Sequence, residues 1–301
     1  MRSTFVAGIV LLMSQILSYR GRTITAADIT LIRNTITTHP DDSRRALSRR
    51  ICQAWDWTQH NGQPKDMVCR GLLLHLEREG HITQPPPKCK TGQYRRKRPE
   101  PVTIDSAPIN TGLKEIRSLL RFEQVRRTPY EKLFNGLIEH YHYLTYAQPV
   151  GEHLKYIVFC EQRPVACLAF SSAAFALNVR DAFIGWSKEQ LSNNRHLLAY
   201  NTRFLILPWV QVKFLASHLL SQCARRISSD WEVLYNHPIH WLETFVDTER
   251  FAGTCYKAAN WRYLGQTKGR GKYNKTQKQL TSIKDIYGLP LESKFRDKLC
   301  R

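Results

Sequence analysis

Two carboxylates, Glu243 and Asp247, stand four residues apart in the run LETFVD at 242–247. Side chains alternate along a strand, so both share a face with Phe245. With Asp230 or Asp181 they form a candidate Mg²⁺-holding set for phosphodiester cleavage. The competing reading is that of ordinary strand-end carboxylates, since no spacing in the set is diagnostic. Glu139, His140 and His142 suggest a second cluster, but on a helix the two histidines point to different sides. No metal site is assigned to them. Trp186 and Lys188 with Asn193, Asn194 and Arg195 form a polar–aromatic patch. Such a patch either stacks single-stranded bases or rims an ordinary core. The chain has no Walker loop, dinucleotide fingerprint or Ser-His-Asp arrangement.

The most general chemical signal is charge. In 301 residues, 45 Lys and Arg face 25 Asp and Glu, a net charge of +20. A surplus of that size predicts a polyanionic partner, DNA first. The candidate phosphate contacts fall in three places. Arg44, Arg45, Arg49, Arg50, Arg70 and Arg78 lie on predicted helices. Lys88, Lys90, Arg95, Arg96, Lys97 and Arg98 form a basic run in a Pro-rich stretch. Lys268, Arg270 and Lys272 follow near the C-terminus. Each group has the duller alternative of solvating its own surface.

The elements that position these residues divide into four segments. Residues 22–87 read as a mostly helical, winged-helix-like DNA-binding domain. Thr25 caps a helix with Ile29, Ile32 and Ile36 on its apolar face. Ser43 opens SRRALSRRICQAWDW, Asp66 opens a third helix, and Gly80 closes it. The extended piece HITQ then stands where a wing belongs. Residues 88–112 read as a basic, Pro-rich linker with too little apolar surface to fold alone. Residues 113–274 read as mixed α/β, with a hairpin at KYIVFC–EQRP–VACLAFS and a short strand, a polar helix and a loop over 173–199. Residues 275–301 read as a basic tail. The fold class is therefore α+β, a mostly α module followed by a mixed α/β one.

The apolar stretch at 5–17 predicts a first packing helix, or an extension ahead of the true start, with an export signal as the lesser alternative, since it is short for a membrane span and no clear cleavage site follows it. Eight cysteines without a Cys-x-x-Cys pair predict reduced thiols and a cytoplasmic protein with no membrane partner.

Within the α/β part, an apolar run ends at Pro208, a helix follows, a second run ends at Asp247, and a Tyr-led segment closes on Trp261. This order resembles the acyl-CoA-binding half of the GNAT superfamily. On the family's pyrophosphate turn, Gln211 falls on the first position and Ala216 on the last, with Lys213 between. Phe214 stands where the family has its middle glycine. A phenyl ring there crowds the approach of main-chain N–H groups to a pyrophosphate. The resemblance gives Tyr256 the place of the general acid toward the departing thiolate. Asn260 holds the place of a glycine and is expected to take a left-handed backbone.

A second resemblance spans nearly the whole chain. ITAADITLIR, SRRALSRRICQAWDW, FIGWSKEQ, YNTRFLILPWV and ETFVDTERFAGTCYKAANW are similar to the DruA-like family of bacterial Druantia anti-phage islands, whose relatives also occur with mobile elements. It implies a defence setting with other defence-system proteins as partners, and supplies no reaction. The resulting expectation is a DNA-binding component with a GNAT-like domain that no longer transfers acetyl groups and takes no cofactor. The alternatives are an acetyl-CoA-dependent transferase acting on a macromolecule and a Mg²⁺-dependent, transposase-like enzyme.

Overall fold

In a computed structural model, residues 15–87, 98–175, 177–269, 279 and 281–301 are described. The chain divides into two compact units, residues 1–95 and 96–301.

The first unit starts with a hairpin, β1 (Gln15–Tyr19) and β2 (Arg22–Thr25). Arg20 and Gly21 both take positive φ (48° and 83°), the two-residue turn whose twist suits a hairpin. Residues 15–17 are thus strand where a helix was expected. The remainder of that apolar stretch lies outside the described residues. Three helices follow: α1 (Ala26–Thr38), α2 (Arg44–Ala54) and α3 (Asp66–Arg78). Thr25 and Asp28 form a reciprocal capping box, and the Ser43 side chain accepts from the Ala46 N–H. Asp66 is the first residue of α3 rather than its cap; Lys65 precedes it with no side-chain cap. The helices bury Ile29, Ile32, Ile51, Leu72 and Leu76 against Ile24 of the hairpin. Residues 81–87 form no strand, so among the described residues the strand pair precedes the helices instead of following them. The expected wing after α3 is corrected on that ground.

The second unit is built on a seven-stranded sheet in the order β3–β4–β5–β6–β7–β9–β8. Its strands are β3 (Leu120–Gln124), β4 (His153–Cys160), β5 (Arg163–Ser172), β6 (Leu198–Ile206), β7 (Trp241–Asp247), β8 (Arg262–Gln266) and β9 (Lys284–Pro290). Neighbours are antiparallel except β6 and β7, which run parallel. The β4–β5 turn is the expected hairpin, closed by Cys160 opposite Arg163. The helices are α4 (Leu113–Ile116), α5 (Glu131–Tyr141), α6 (Asn178–Ile184), α7 (Lys188–Asn194), α8 (Leu215–Ala224), α9 (Ile227–Tyr235), α10 (Thr254–Ala258) and α11 (Phe295–Leu299). The parallel β6–β7 join needs a crossover, supplied by α8 and α9. Leu219, Leu220, Cys223 and Trp231 of that crossover are buried in the main core with Leu154, Tyr156 and Leu168.

Three boundaries differ from the sequence reading. Residues 98–112 do not float as a linker: Val102, Ile104 and Ile109 pack on the core, and Ile109 bridges Val210. Residues 281–301 are not a tail. β9 pairs with both β7 and β8, and α11 buries Phe295 and Leu299 beside Trp241. Among the described residues of 173–199 no separate short strand forms: α6 and the expected polar helix, α7, occupy the segment, and β6 begins at Leu198. The seven cysteines other than Cys89 are free thiols, and Cys89 lies outside the described residues. Among the described residues no helix is long and apolar enough to cross a membrane.

Candidate functional site

The parallel join between β6 and β7 is short. It pairs Leu198 with Trp241 through Asn201 with Thr244 and then stops. At that point β6 carries an extra residue: Ala169 of β5 opposes Arg203 and Phe170 opposes Asn201, leaving Thr202 unpaired. A bulge bends its strand and raises the local twist, so the two strands part. The cleft so opened holds a cavity of ≈ 490 Å³ whose walls include Phe204, Ala216, Phe245, Asp247 and Tyr256.

Tyr256 sits where the strands diverge. Its hydroxyl donates to Oδ1 of Asn201 at 2.7 Å, and Asn201 Nδ2 donates to the carbonyls of Ala169 and Arg203 at 3.0 and 3.1 Å. Gly253 directs this helix: at φ +68° it starts α10, and a Cβ there would meet the Tyr287 hydroxyl at 2.8 Å. The Tyr256 ring stacks on Tyr287 and meets Trp261 edge-on. Burial pushes its phenol far above the ordinary tyrosine range. A proton held that firmly is a poor one to give a thiolate, and the geometry is that of a brace. Asn260 takes the left-handed backbone expected of it, φ 63°.

The turn ahead of α8 keeps part of an anion-binding geometry. Phe214 caps the helix at φ 64°, ψ 0°, the conformation a glycine would adopt, and its ring is 77% exposed. Among the described residues, the N–H groups of Val212, Lys213 and Phe214 make no main-chain hydrogen bond. The Gln211 N–H, in contrast, is taken by the carbonyl of Ile109 at 2.8 Å. Residues 98–112 thus occupy a main-chain donor at the entry to this turn. Lys213 is exposed, and Ala216 faces the cleft.

The acidic set does not assemble. Glu243 and Arg180 are fully buried and paired at 3.1 Å, and Glu243 also accepts from the Ala174 N–H at 3.0 Å. Burial raises the Glu243 carboxyl against the pull of Arg180. Asp247 lies four strand residues further on, about 13 Å away at the usual rise per residue. Asp181 is held by Arg180 and Trp186, and Asp230 accepts the Tyr156 hydroxyl at 2.8 Å. A guanidinium already occupies the centre where a divalent cation would have to sit, and among the described residues no group of three ligands gathers. The polar–aromatic patch is divided: Lys188 and Asn193 are exposed, Arg195 lies over the Phe175 ring, and the other two residues are engaged internally. Trp186 is buried on Asp181, and Asn194 donates to the carbonyls of Leu299 and Arg301.

The predicted phosphate contacts divide by partner. Arg44 donates to the Pro85 carbonyl at 2.7 Å and approaches Glu77; Arg45 and Arg70 share Asp66; Arg50 pairs with Asp42 at 2.7 Å. Arg49 and Arg78 are exposed with no carboxylate partner among the described residues. Arg98 reaches Glu139 at 3.8 Å, and Lys268 is exposed. Lys88, Lys90, Arg95, Arg96, Lys97, Arg270 and Lys272 lie outside the described residues.

Several site residues were not found by sequence reasoning. Arg203 lines the cleft and donates to the carbonyls of Thr145 and Thr202 at 3.1 and 2.7 Å. Desolvation lowers its pKa. Asn201 and Arg180 carry no spacing signal, since their partners are 55 and 63 residues away. His142 starts the loop over the cleft. Its Nδ1 accepts from the Leu144 N–H, and burial brings its pKa down to about 4.

Residues 77–291 match the family model described as Druantia protein DruA. No curated protein matches the chain. Among solved structures, a spermidine N-acetyltransferase SpeG chimera from Vibrio cholerae and hSSAT is 12% identical. It aligns over 59% of this chain and 98% of its own at a TM-score of 0.38. The ribosomal-protein-S18-alanine N-acetyltransferase from Escherichia coli is 11% identical over 57% and 94%, with a TM-score of 0.34. The ribosomal L7/L12 alpha-N-protein acetyltransferase RimL is 10% identical over 59% and 97%, with a TM-score of 0.33. At these scores the neighbours bear on neither substrate nor activity.

Proposed function

The chain belongs to the DruA family, and from that premise we propose that it is a DNA-binding component of a bacterial, Druantia-type anti-phage defence. The observation that carries the reading is the cation surplus of 45 Lys and Arg over 25 Asp and Glu. Phosphate neutralisation supplies most of the affinity of such a protein, with little sequence information. The first unit is the DNA-reading module, with Arg49 on α2 and Arg78 on α3 free to reach phosphates. In the second unit, burial lowers the pKa of His218 on α8 and the nearby charges of Arg117 and Arg225 lower it further, which places two cations beside that helix. Other proteins of the same defence system are its partners. The test is binding of duplex DNA by the full chain. Affinity at low salt that collapses as salt rises supports the reading, and no binding at low salt overturns it.

A second reading, acyl-CoA-dependent transfer to a macromolecule, draws on the open β6–β7 cleft and the left-handed Phe214 backbone. Against it stand the firmly held Tyr256 proton and the Gln211 donor already taken. Calorimetry with acetyl-CoA decides: micromolar binding reverses the order of the two readings. The Mg²⁺-dependent reading is not proposed, because Glu243 is committed to Arg180.

A further inference from the structure

The cleft between β6 and β7 is lined by more than apolar filler. Tyr200 and Phe245 meet edge to face at 5.0 Å on its two walls. At its mouth Tyr143 and Phe251 lie 5.4 Å apart, and Phe251 is 52% exposed. Cations frame the rings. Arg250 lies 5.1 Å over the Tyr143 ring, Lys284 borders the cavity, and the Arg203 guanidinium lines it with no carboxylate partner among the described residues. Among the described residues, Asp247 is the one carboxylate on the cavity wall.

The strands add a second kind of recognition. Beyond Asn201, β6 pairs only with β5, and beyond Thr244, β7 pairs only with β9. Each strand therefore turns an edge without strand pairing toward the cleft; on β6 the Thr202 and Arg203 carbonyls accept from the Arg203 and Asn201 side chains, and the other N–H and C=O groups of the edge are left for a ligand. A planar ligand with donors and acceptors on its rim satisfies those groups. A hydrocarbon chain does not.

We propose that this cleft takes an unstacked nucleobase of single-stranded nucleic acid. The aromatic rings supply the stacking surface, and the framing cations face the neighbouring phosphates. Arg203 is a donor for acceptor atoms on the base edge, and Asp247 accepts from an amino or imino N–H. The volume of ≈ 490 Å³ falls within the range of a small-molecule pocket. Extruding a base from a duplex costs a few kcal/mol that an already single strand does not incur. The cleft therefore selects displaced or unwound strands. This inference rests on the DNA-binding reading and deepens it, naming the form of the nucleic acid and the place that holds it.

The experiment uses the full chain with two probes, a single-stranded oligonucleotide carrying one 2-aminopurine and the duplex of the same sequence. Phe251→Ala removes a half-exposed ring at little risk to the fold, and Phe251→Trp restores a stacking face. The wild-type chain is expected to change the 2-aminopurine emission. Phe251→Ala is expected to lose roughly tenfold in single-strand affinity, with duplex affinity unchanged and Phe251→Trp recovering the loss. Single-strand affinity within twofold of wild type in Phe251→Ala, with duplex binding intact, overturns the inference and leaves the DNA-binding reading standing. Absence of both kinds of binding at low salt overturns that reading, and this inference with it.

Discussion

Asn201 accepts the phenolic proton of Tyr256 at 2.7 Å, and Asn201 is also the last residue of β6 to pair with β7. The bond ties α10 to the point where the strands part, so it fixes the floor of the cleft. Tyr256→Phe leaves the buried Asn201 oxygen without its donor, at a cost of about 1–3 kcal/mol. Chemical denaturation measures this as a lower midpoint at constant slope. An unchanged midpoint would remove the bracing role and return Tyr256 to the acid's place.

Two buried histidines make stability depend on pH in one direction. His142 and His153 both have pKa values near 4 in the folded chain, because burial disfavours their charged forms. His142 Nδ1 must stay unprotonated to accept from Leu144, and His153 Nε2 is buried without a hydrogen-bond partner among the described residues. Between pH 6.5 and 4 the unfolded chain binds protons that the folded chain refuses, so stability falls as pH drops through that window. The full effect is roughly 3 kcal/mol for each histidine. His237 beside Glu152 is raised instead, and its contribution is lost as pH rises past its folded value. Denaturation midpoints from pH 4 to 7 should climb with pH, and His142→Gln should flatten the climb.

The Arg180–Glu243 pair predicts a structural, not a catalytic, phenotype. Glu243→Ala strands a fully buried guanidinium and costs about 3–5 kcal/mol, whereas removing both charges as Arg180→Met with Glu243→Leu costs less. Thermal melts distinguish the cases. A Glu243→Ala chain that melts like the parent but loses a Mg²⁺-dependent nicking activity would reinstate the metal reading.

Phe214 holds a backbone that costs a non-glycine residue about 1–2 kcal/mol. Phe214→Gly should therefore raise stability by about 1 kcal/mol, less the added freedom of glycine in the unfolded chain. If the ring is what keeps acyl-CoA from the turn, calorimetry should show acetyl-CoA binding in the variant and none in the parent. Equal affinity in both would clear the ring of that role.

What the sequence made legible was local chemistry. Thr25 and Ser43 announced their helices because caps act within one turn. Asn260 announced its left-handed turn because few residues tolerate one. The hairpin at Arg20–Gly21 was missed because the apolar run before it read as helical, although a glycine turn between ILSY and RTIT carried the signal. β9 was hidden by the Lys-rich sequence ahead of it, although DIYGLP holds the buried Ile286 and Tyr287. Ala216, Asp247 and Tyr256 of the cleft were named from the sequence, but the pairings around them were illegible for a different reason. Asn201 with Tyr256 and Arg180 with Glu243 meet only once the sheet order is set, and no spacing along the chain encodes such long-range partners. The same holds for Arg44 and Arg45, whose acids Glu77 and Asp66 are brought to them by helix packing.

The most direct test is the salt dependence of DNA affinity, measured by fluorescence anisotropy on the full chain and on Arg49→Ala and Arg78→Ala. Cation–phosphate contact predicts that log affinity falls linearly with log salt, losing several orders of magnitude between ~50 and ~200 mM, and that each substitution lowers the slope by about 1. A flat salt profile, or slopes that neither substitution moves, would contradict the assignment of these arginines to phosphates and the DNA-binding role built on them.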